Sequence, residues 1–251
     1  MSAAGAVTAA AVASPAAVGE RVARLDWAGI ERSLREWGWA RTPALLTADE
    51  CRDLIALYAD GARFRSRVDM ARYRFGEGEY KYLAYPLPPI IAALRAAAYP
   101  PLAAIARRWD ADLGRPGQYP DDLAGFLAVC AARGQTRPTP LLLRYRHGGY
   151  NCLHQDLYGD AAFPLQLTCL LSRRGADFTG GESLIVEQRP RAQSRGDAIA
   201  LEQGEGLLFA TRDRPARGAR GHYRAVIRHG VSRIVSGERY ALGVIFHDAA
   251  P

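Results

Sequence analysis

The second half of the chain alternates short β-type runs with turn residues, and this pattern limits the folds that the chain can adopt. Glycine, proline and aspartate separate eight such runs, at 141–147, 151–157, 164–171, 183–187, 198–201, 207–211, 223–228 and 240–247. Short strands at regular spacing with turn signals between them are typical of sandwiches and jelly rolls. We therefore predict a mainly β protein whose core, over residues 140–248, is a sandwich or a jelly roll.

The first half of the chain has a different pattern. Across residues 20–135, apolar side chains recur at helical spacing between proline and glycine breaks. Thr47 to Glu50 form a capping box, which predicts the start of an amphipathic helix. Residues 88–113 predict two helices that are separated at Pro100-Pro101. We expect these N-terminal helices to brace one sheet of the jelly roll, within a single domain over 20–251.

The beginning of the chain and its cysteines bear on location. Residues 1–19 are rich in alanine and have no basic residue before Arg21, so the start of a secretory signal is missing. We expect these residues to form a disordered tail. No apolar run reaches the length that would predict a membrane span. The four cysteines include no Cys-x-x-Cys pair, which favours reduced thiols and a cytoplasmic location.

The chain is basic, with a formal net charge of +7, and all its basic residues except Lys81 are arginine. This charge is compatible with a nucleic acid or anionic small molecule as partner, and also with an ordinary solvated surface. The stretch 63–82 interleaves five arginines with five aromatic residues. Such a stretch can bind a nucleic acid strand by charge and stacking. The alternative interpretation is a pair of strands with a solvated arginine face.

His154 and Asp156 are the first candidate metal ligands. Their spacing puts both side chains on the same face of a β-strand. A third ligand would complete the two-histidine, one-carboxylate site of non-haem Fe(II) oxygenases. His229 is the candidate for that ligand, and His222 is the alternative. Arg239 follows His229 by ten residues, and its planar guanidinium is suited to binding a buried carboxylate.

In this order, these residues resemble the pattern of the Fe(II)/2-oxoglutarate dioxygenases, which is His-x-Asp, a distal His, and an Arg or Lys about ten residues later. The prolyl 4-hydroxylases are similar in spacing. The Gly-Gly-Glu sequence at 180–182 and the strand after it also resemble that family. The resemblance implies a double-stranded β-helix core, with Fe(II) bound by His154, Asp156 and His229.

The same resemblance implies how the cosubstrates bind. It places the distal carboxylate of 2-oxoglutarate on Arg239, with O₂ as the second cosubstrate and ascorbate as the reductant. Many relatives have Arg-x-Ser at this point, whereas Tyr240 and Ala241 follow Arg239 here. The second hydrogen bond to the carboxylate must then come from elsewhere, and Tyr145 and Thr168 are the candidates.

The reaction implied is hydroxylation of a C–H bond in an amino-acid, peptide or protein substrate, with release of succinate and CO₂. Oxidative N-demethylation of damaged nucleic acid is the alternative. It is favoured by the stretch 63–82. The stretches 79–82, 85–88, 228–232 and 246–248 also resemble a bacterial family with members labelled as oxygenases of damaged nucleic acid. A third hypothesis is a non-catalytic, cupin-like binding protein, and the spacing of Arg239 argues against it. The sequence does not identify the substrate or the oligomeric state, because loops determine substrate choice.

Overall fold

Two antiparallel sheets form the centre of the fold in the computed structural model, which describes residues 14–156 and 159–251. The larger sheet contains, in spatial order, β1 (Trp39–Ala44), β11 (Glu205–Ala210), β7 (Leu165–Leu170), β14 (Ile234–Val244), β5 (Leu141–Arg146), β4 (Glu79–Leu83) and β2 (Phe64–Asp69), and β8 (Phe178–Gly180) also pairs with β14. The smaller sheet contains β10 (Arg195–Ile199), β9 (Ser183–Gln188), β13 (Gly221–Val231), β6 (Tyr150–His154) and β3 (Gly76–Glu77), and β12 (Asp213–Gly218) also pairs with β13. This is the jelly roll that the strand pattern predicts.

The two-residue period of the strands decides which side chains face the space between the sheets. On β14, Arg239, Ala241 and Gly243 lie on one face and line an internal cavity. Leu242 and Val244 lie on the other face and are fully buried in the hydrophobic core. The register of β14 with its neighbours therefore determines which residues line the cavity.

Helices cover this core. In the described residues they are α1 (Pro15–Ala23), α2 (Trp27–Trp37), α3 (Ala48–Leu57), α4 (Pro89–Asp112) and α5 (Leu123–Ala132). The predicted capping box at the start of α3 is confirmed, because the Thr47 hydroxyl accepts from the Glu50 amide and the Glu50 carboxylate accepts from the Thr47 amide. Helix α2 contacts β1 of the larger sheet and β12 of the smaller one. The expectation that the helices brace one sheet is therefore wrong, since they reach both.

The predicted disordered tail over residues 1–19 is wrong at its end. Residues 1–13 lie outside the described residues, but α1 begins at Pro15. Proline is favoured at this first helical position because the amide of that residue needs no partner inside the helix. Val18 and Val22 are buried, and α1 packs on α4. An alanine-rich segment forms a helix here because it has an apolar surface to cover, and composition alone does not report that surface.

Helix α4 is continuous, whereas the sequence predicted two helices. Pro100 and Pro101 lie in its interior, although neither can donate a backbone hydrogen bond. Tyr99 and Leu102 on either side are fully buried, and their packing offsets the lost hydrogen bonds. By length and composition α4 is long and apolar enough to cross a membrane. The sequence did not indicate this, because the predicted break at Pro100-Pro101 gave two shorter helices. In the apolar window that passes this test, 56% of the residues are buried inside the fold, as in a core helix.

The N-terminal part, which we predicted to be helical over 20–135, also contributes strands to both sheets. The pair of strands considered for residues 63–82 is present as β2 and β4, while β1 and β3 were not expected. In the second half, β8 and β12 were missed. The sequence analysis missed β12 because Pro215 and the polar residues around it lack the apolar pattern of a strand. A proline is tolerated there because β12 pairs only with β13 in the described part of the chain and so forms an edge.

Candidate active site

A cavity of about 350 Å³ lies between the two sheets. Most of its wall is apolar, and the polar side chains on it come from both sheets. The wall includes Tyr80 and Tyr82 of β4, Leu141, Leu143 and Tyr145 of β5, Gln166 and Thr168 of β7, Phe209 of β11, His229 of β13 and Arg239 of β14. The exposed residues Arg74, Phe75 and Leu153 also line it and mark its opening.

His154, Asp156 and His229 converge at one point of this cavity. Their ligand atoms all lie within 4.8 Å of one another. The Nε2 atoms of His154 and His229 are 3.5 Å and 3.3 Å from the two carboxylate oxygens of Asp156. The two histidines are directly opposite each other on β6 and β13, and their ring centroids are 4.2 Å apart. The pairing of β6 with β13 thus sets the separation of the imidazoles.

Asp156 reaches the cluster from just beyond the end of β6. The sequence predicted that it shares a strand with His154, but β6 ends at His154. The Asp156 amide donates to the carbonyl of Thr211 at 3.3 Å. The side chain of Gln155 donates to the carbonyls of Arg212 and Ile227 at 2.7 Å and 2.9 Å. Anchoring of this loop, rather than a continued strand, therefore positions the carboxylate.

The protonation of the cluster suits a divalent cation. Nδ1 of His154 donates to the Cys152 carbonyl at 2.8 Å, which leaves the lone pair of Nε2 free. Burial, with the neighbouring His229 as the second cause, lowers the pKa of His154, so the neutral imidazole is favoured. Burial alone would raise the pKa of Asp156, but His229, His154 and the Gln166 amide outweigh it and hold that pKa below its ordinary range. Two imidazole nitrogens and a carboxylate form the donor set that non-haem iron prefers.

Gln166 is a part of this site that sequence reasoning missed. Its side-chain amide donates to Oδ2 of Asp156 at 2.8 Å, and it is buried. Such a hydrogen bond fixes the orientation of a metal-binding carboxylate. A signal was present, because Gln166 and Thr168 are polar residues at alternate positions of an otherwise apolar strand. That alternation places both side chains on the cavity face.

Arg239 is buried in the same cavity, and no carboxylate among the described residues pairs with it. It is 3% exposed, and its Nε atom has no hydrogen-bond partner among the described residues. Burial lowers the pKa of Arg239 to about 10, so the guanidinium is still charged at neutral pH. A buried charge without a partner is costly, and its presence indicates an anionic ligand at this position.

Tyr145 is the better placed of the two candidate partners of Arg239. It lies directly opposite Arg239 on β5 and is fully buried. Among the described residues its hydroxyl forms no hydrogen bond of normal geometry, although the Asn151 amide is close by. Thr168 also lines the cavity, but its hydroxyl donates to the Leu242 carbonyl at 3.2 Å. The free donor is therefore on Tyr145.

His222, the alternative third ligand, is not part of the cluster. It lies near the start of β13, opposite Arg217, and its Nδ1 atom is 3.4 Å from a carboxylate oxygen of Asp112. His229 lies near the other end of the same strand. Of the two candidates, the structure therefore brings only His229 to His154 and Asp156.

The stretch 63–82 divides into two parts. Its first arginines are engaged, since Arg65 donates to the Pro138 carbonyl and Arg67 pairs with Glu79. Residues 72–75, Arg-Tyr-Arg-Phe, are all exposed, and Arg74 and Phe75 line the opening of the cavity; we call these four residues the mouth segment. Neither arginine of the mouth segment forms an ion pair or a side-chain hydrogen bond with the described residues. The strand-pair interpretation therefore accounts for Arg65 and Arg67, and it does not account for the exposed residues 72–75.

Comparison with known proteins identifies the family. The sequence profile of Oxygenase-NA, described as an oxygenase catalysing oxidative methylation of damaged DNA, matches residues 78–249. The chain belongs to the Oxygenase-NA family. An uncharacterized protein of Mycobacterium tuberculosis, found in two strains, is 57% identical over 165 residues, which is 66% of this chain and 71% of that protein.

A solved structure shares the fold of this Oxygenase-NA protein. An oxidoreductase of the 2OG-Fe(II) oxygenase family from Burkholderia pseudomallei has a TM-score of 0.52 and 17% identity, covering 89% of this chain and 92% of its own. A prolyl-4-hydroxylase from Pseudomonas putida has a TM-score of 0.48 and 16% identity, covering 86% and 96%. The predicted double-stranded β-helix fold is confirmed by the first of these structures, and the predicted enzyme is confirmed as an oxygenase by the family match.

Proposed function

We propose that this Oxygenase-NA protein oxidises an N-methyl group on a damaged base of a nucleic acid strand, with Fe(II) and 2-oxoglutarate. The observation that carries the proposal is a single cavity that contains both a His-Asp-His cluster and a buried arginine without a counter-ion. The description of the family directs the choice of substrate toward damaged DNA. The sequence-based first expectation, a peptide or amino-acid substrate, becomes the second candidate. The predicted cytoplasmic location stays a prediction.

In this proposal, His154, Asp156 and His229 hold the iron through Nε2, a carboxylate oxygen and Nε2. Bound iron, with 2-oxoglutarate and O₂, supplies the oxidation of a C–H bond. Gln166 keeps the Asp156 carboxylate in place, and the Cys152 carbonyl keeps His154 in the tautomer that binds metal. Phe209 packs against the His229 ring at a centroid distance of 4.6 Å and restricts its rotation.

Arg239 and Tyr145 bind the distal carboxylate of 2-oxoglutarate. The guanidinium provides two parallel charge-assisted hydrogen bonds, and the tyrosine hydroxyl provides a third donor. Because both groups are buried beside apolar side chains such as Leu143, water does not compete for the carboxylate. The apolar wall also shields the reacting carbon from solvent.

The overall change balances for an N-methyl substrate. One oxygen atom of O₂ enters the methyl group as an N-hydroxymethyl, and the other enters the new carboxylate of succinate as 2-oxoglutarate loses CO₂. The N-hydroxymethyl group then releases formaldehyde, so the methyl group is removed and the base is restored. Ascorbate, in this proposal, keeps the iron reduced between turnovers.

The test is turnover of matched substrates. The purified protein with Fe(II), 2-oxoglutarate and ascorbate should form succinate and formaldehyde with an N-methylated oligonucleotide, and only background succinate with the unmethylated strand. Succinate formation stimulated by a peptide pool, and not by the methylated strand, would transfer the assignment to the second candidate.

Variants test the metal ligands separately. Asp156→Ala and His229→Ala should each abolish turnover and iron binding while the fold survives, because the core is apolar. His222→Ala is the control and should keep both. Iron bound at wild-type affinity by Asp156→Ala would end the assignment of the ligands.

A further inference from the structure

The mouth segment exposes two aromatic rings and two unpaired arginines side by side, which is a rare combination among the described residues. The rings of Tyr73 and Phe75 are stacked, with centroids 5.5 Å apart and an interplanar angle of 20°. They are nevertheless 59% and 44% exposed. Rings of this size normally contribute to the core, so an exposed stacked pair at the opening of a cavity indicates a surface that another flat group covers.

We propose that the mouth segment binds single-stranded nucleic acid: the base next to the oxidised one stacks on Tyr73 and Phe75, and Arg72 and Arg74 bind the adjacent phosphates. The role of this binding in the reaction rests on the proposed function. The proposal adds that the substrate is single-stranded, and it names the residues that bind it. A base stacked on an aromatic side chain is bound whatever its identity, because every base has a flat face.

Hydrogen bonds fix the mouth segment and connect it to the His-Asp-His cluster. The Asp69 carboxylate accepts from the Ala71 amide, the Phe75 amide donates to the Met70 carbonyl, and Arg74 adopts a left-handed backbone with φ of 59°. The Phe75 carbonyl accepts from the Cys152 amide at 2.8 Å. Cys152 is also the residue whose carbonyl accepts from His154. Two hydrogen bonds therefore link the aromatic pair to a ligand of the proposed iron site.

The charges of the segment are free for a phosphate. Some exposed arginines elsewhere on the surface pair with nearby carboxylates, as Arg52 does with Asp49 and Arg173 with Asp177. Arg72 and Arg74 have no such partner in the described part of the chain. Unpaired cations that alternate with exposed rings fit a strand in which phosphates alternate with bases.

The geometry favours a single strand over a duplex. In a duplex the faces of the bases are covered by their neighbours, and protein side chains reach only the base edges in the grooves. A pair of rings can stack on a base only where that base is unstacked. An acidic peptide would use the two arginines but would gain little from the rings, and it is one of the outcomes that the test separates.

The first experiment compares a short oligothymidylate with an abasic oligonucleotide of equal length, by fluorescence anisotropy on the full chain. The wild type should bind the thymidylate about 5- to 150-fold more tightly for each stacked base. Tyr73→Ala with Phe75→Ala should remove this preference, while Tyr73→Phe should retain it. Trp37→Ala is the matched control, because Trp37 is 37% exposed beside Arg195 and outside the cavity wall. Equal binding of the two oligonucleotides by the wild type overturns the proposal.

The second experiment measures the salt dependence of the same binding. Arg72→Gln and Arg74→Gln should each reduce the log–log slope of affinity against salt by about 0.7, the value for one phosphate contact on a single strand. Arg52→Gln removes the same charge from a paired site and should leave the slope unchanged. Polyglutamate that competes as well as the oligothymidylate does would replace the nucleic acid with an acidic protein partner and overturn the proposal.

Turnover separates this proposal from the proposed function. If the wild type prefers thymidylate and the double alanine variant does not, the binding surface stands even when no methylated strand is oxidised. In that case only the proposed reaction is wrong. If a methylated strand is oxidised while thymidylate and abasic strands bind alike, the reaction stands and the binding surface is wrong.

Discussion

Arg95 and Arg239 are both arginines inside the protein, 1% and 3% exposed, and their surroundings are opposite. Arg95 donates to the carbonyls of Ile245 and Phe246, to the Asp248 carboxylate and to the Tyr85 hydroxyl, at 2.8–3.0 Å. Arg239 has an Nε atom without any partner in the described residues.

The difference separates an arginine that holds the fold from one that is reserved for a ligand. The desolvation cost of Arg95 is offset by four hydrogen bonds within the protein itself, which join α4 to Tyr85 and to the segment after β14. The cost of Arg239 is not offset within the described residues, and the protein bears it until an anion enters the cavity. Burial alone does not distinguish these roles, while the satisfaction of the donors does.

The largest expected effect is on the folding of the Arg95→Met variant. Removing this arginine leaves the carbonyls of Ile245 and Phe246 buried without their donor, and it leaves the buried Asp248 carboxylate without its cation, with only the Tyr85 hydroxyl donating to its side chain among the described residues. We expect the free energy of unfolding to fall by about 3–5 kcal/mol. Arg239→Met, measured without iron or 2-oxoglutarate, should keep or increase the stability, because it removes a buried unpaired charge. Urea denaturation of both variants checks this, and equal losses would abolish the distinction.

The next effect is on cosubstrate affinity. Arg239→Met should weaken 2-oxoglutarate binding by tens- to thousands-fold, since a buried charged hydrogen-bonded pair loses on the order of 2–5 kcal/mol when one partner is removed. Iron affinity should change little, because Arg239 belongs to the other sheet. Calorimetry with 2-oxoglutarate measures it, and Thr168→Val serves as the control. An unchanged affinity in Arg239→Met would contradict the proposed role.

A smaller effect is expected on the pH dependence of stability, at His247 near Arg95. His247 is 1% exposed beside the Arg95 cluster, and its Nδ1 atom accepts from the Phe163 amide. Burial and then Arg95 lower its pKa to about 4, against the opposing effects of Asp156 and Asp248. Because this pKa lies below the unfolded value of about 6.5, His247 contributes stability above pH 6.5 that is lost as the pH falls toward 4.

The loss should be roughly 3 kcal/mol across that range. His247→Asn keeps an acceptor for the Phe163 amide but does not titrate, so its stability should fall less steeply over the same range. The difference between the two urea-denaturation profiles isolates His247 from the carboxylates, which titrate in both proteins. Parallel profiles would mean that His247 is not the titrating group.

The smallest effect is stabilisation by the ligand. At a 2-oxoglutarate concentration one hundred times its Kd, the wild type should gain about 2.7 kcal/mol in stability. Arg239→Met at the same concentration should gain about 1 kcal/mol or less, and Arg95→Met should keep the gain on a lower baseline. Thermal unfolding at several concentrations gives both values. A gain in Arg239→Met equal to the wild type would place the ligand elsewhere.

The sequence predicted those parts of the molecule that depend on local spacing. The strand runs and the order of His154, His229 and Arg239 follow from residue types and intervals, and the jelly roll is confirmed. Where an outcome depends on distant partners, the prediction failed or was open. Pro100 and Pro101 predict a break, but the core that α4 crosses keeps the helix intact.

The candidate site was predictable in its residues and less so in their surroundings. The choice between His222 and His229 depended on strand register, which spacing alone leaves open. Gln166 was missed because its role depends on Asp156, a residue on a separate segment. In the stretch 63–82, some arginines form ion pairs, as Arg67 does with Glu79, and others do not. Residue spacing in the sequence does not show which arginines lie near a carboxylate.

The proposed iron ligands and the proposed cosubstrate groups belong to different sheets, and this has a consequence for how the protein folds. His154 and His229 meet only when β6 pairs with β13, and Tyr145 meets Arg239 only when β5 pairs with β14. Both pairings join strands that are distant in the chain, which makes them slow to form. A folding intermediate with one sheet would hold half of the site. Binding of metal and cosubstrate together is therefore a reporter of completed folding, and it should appear in the last kinetic phase of refolding.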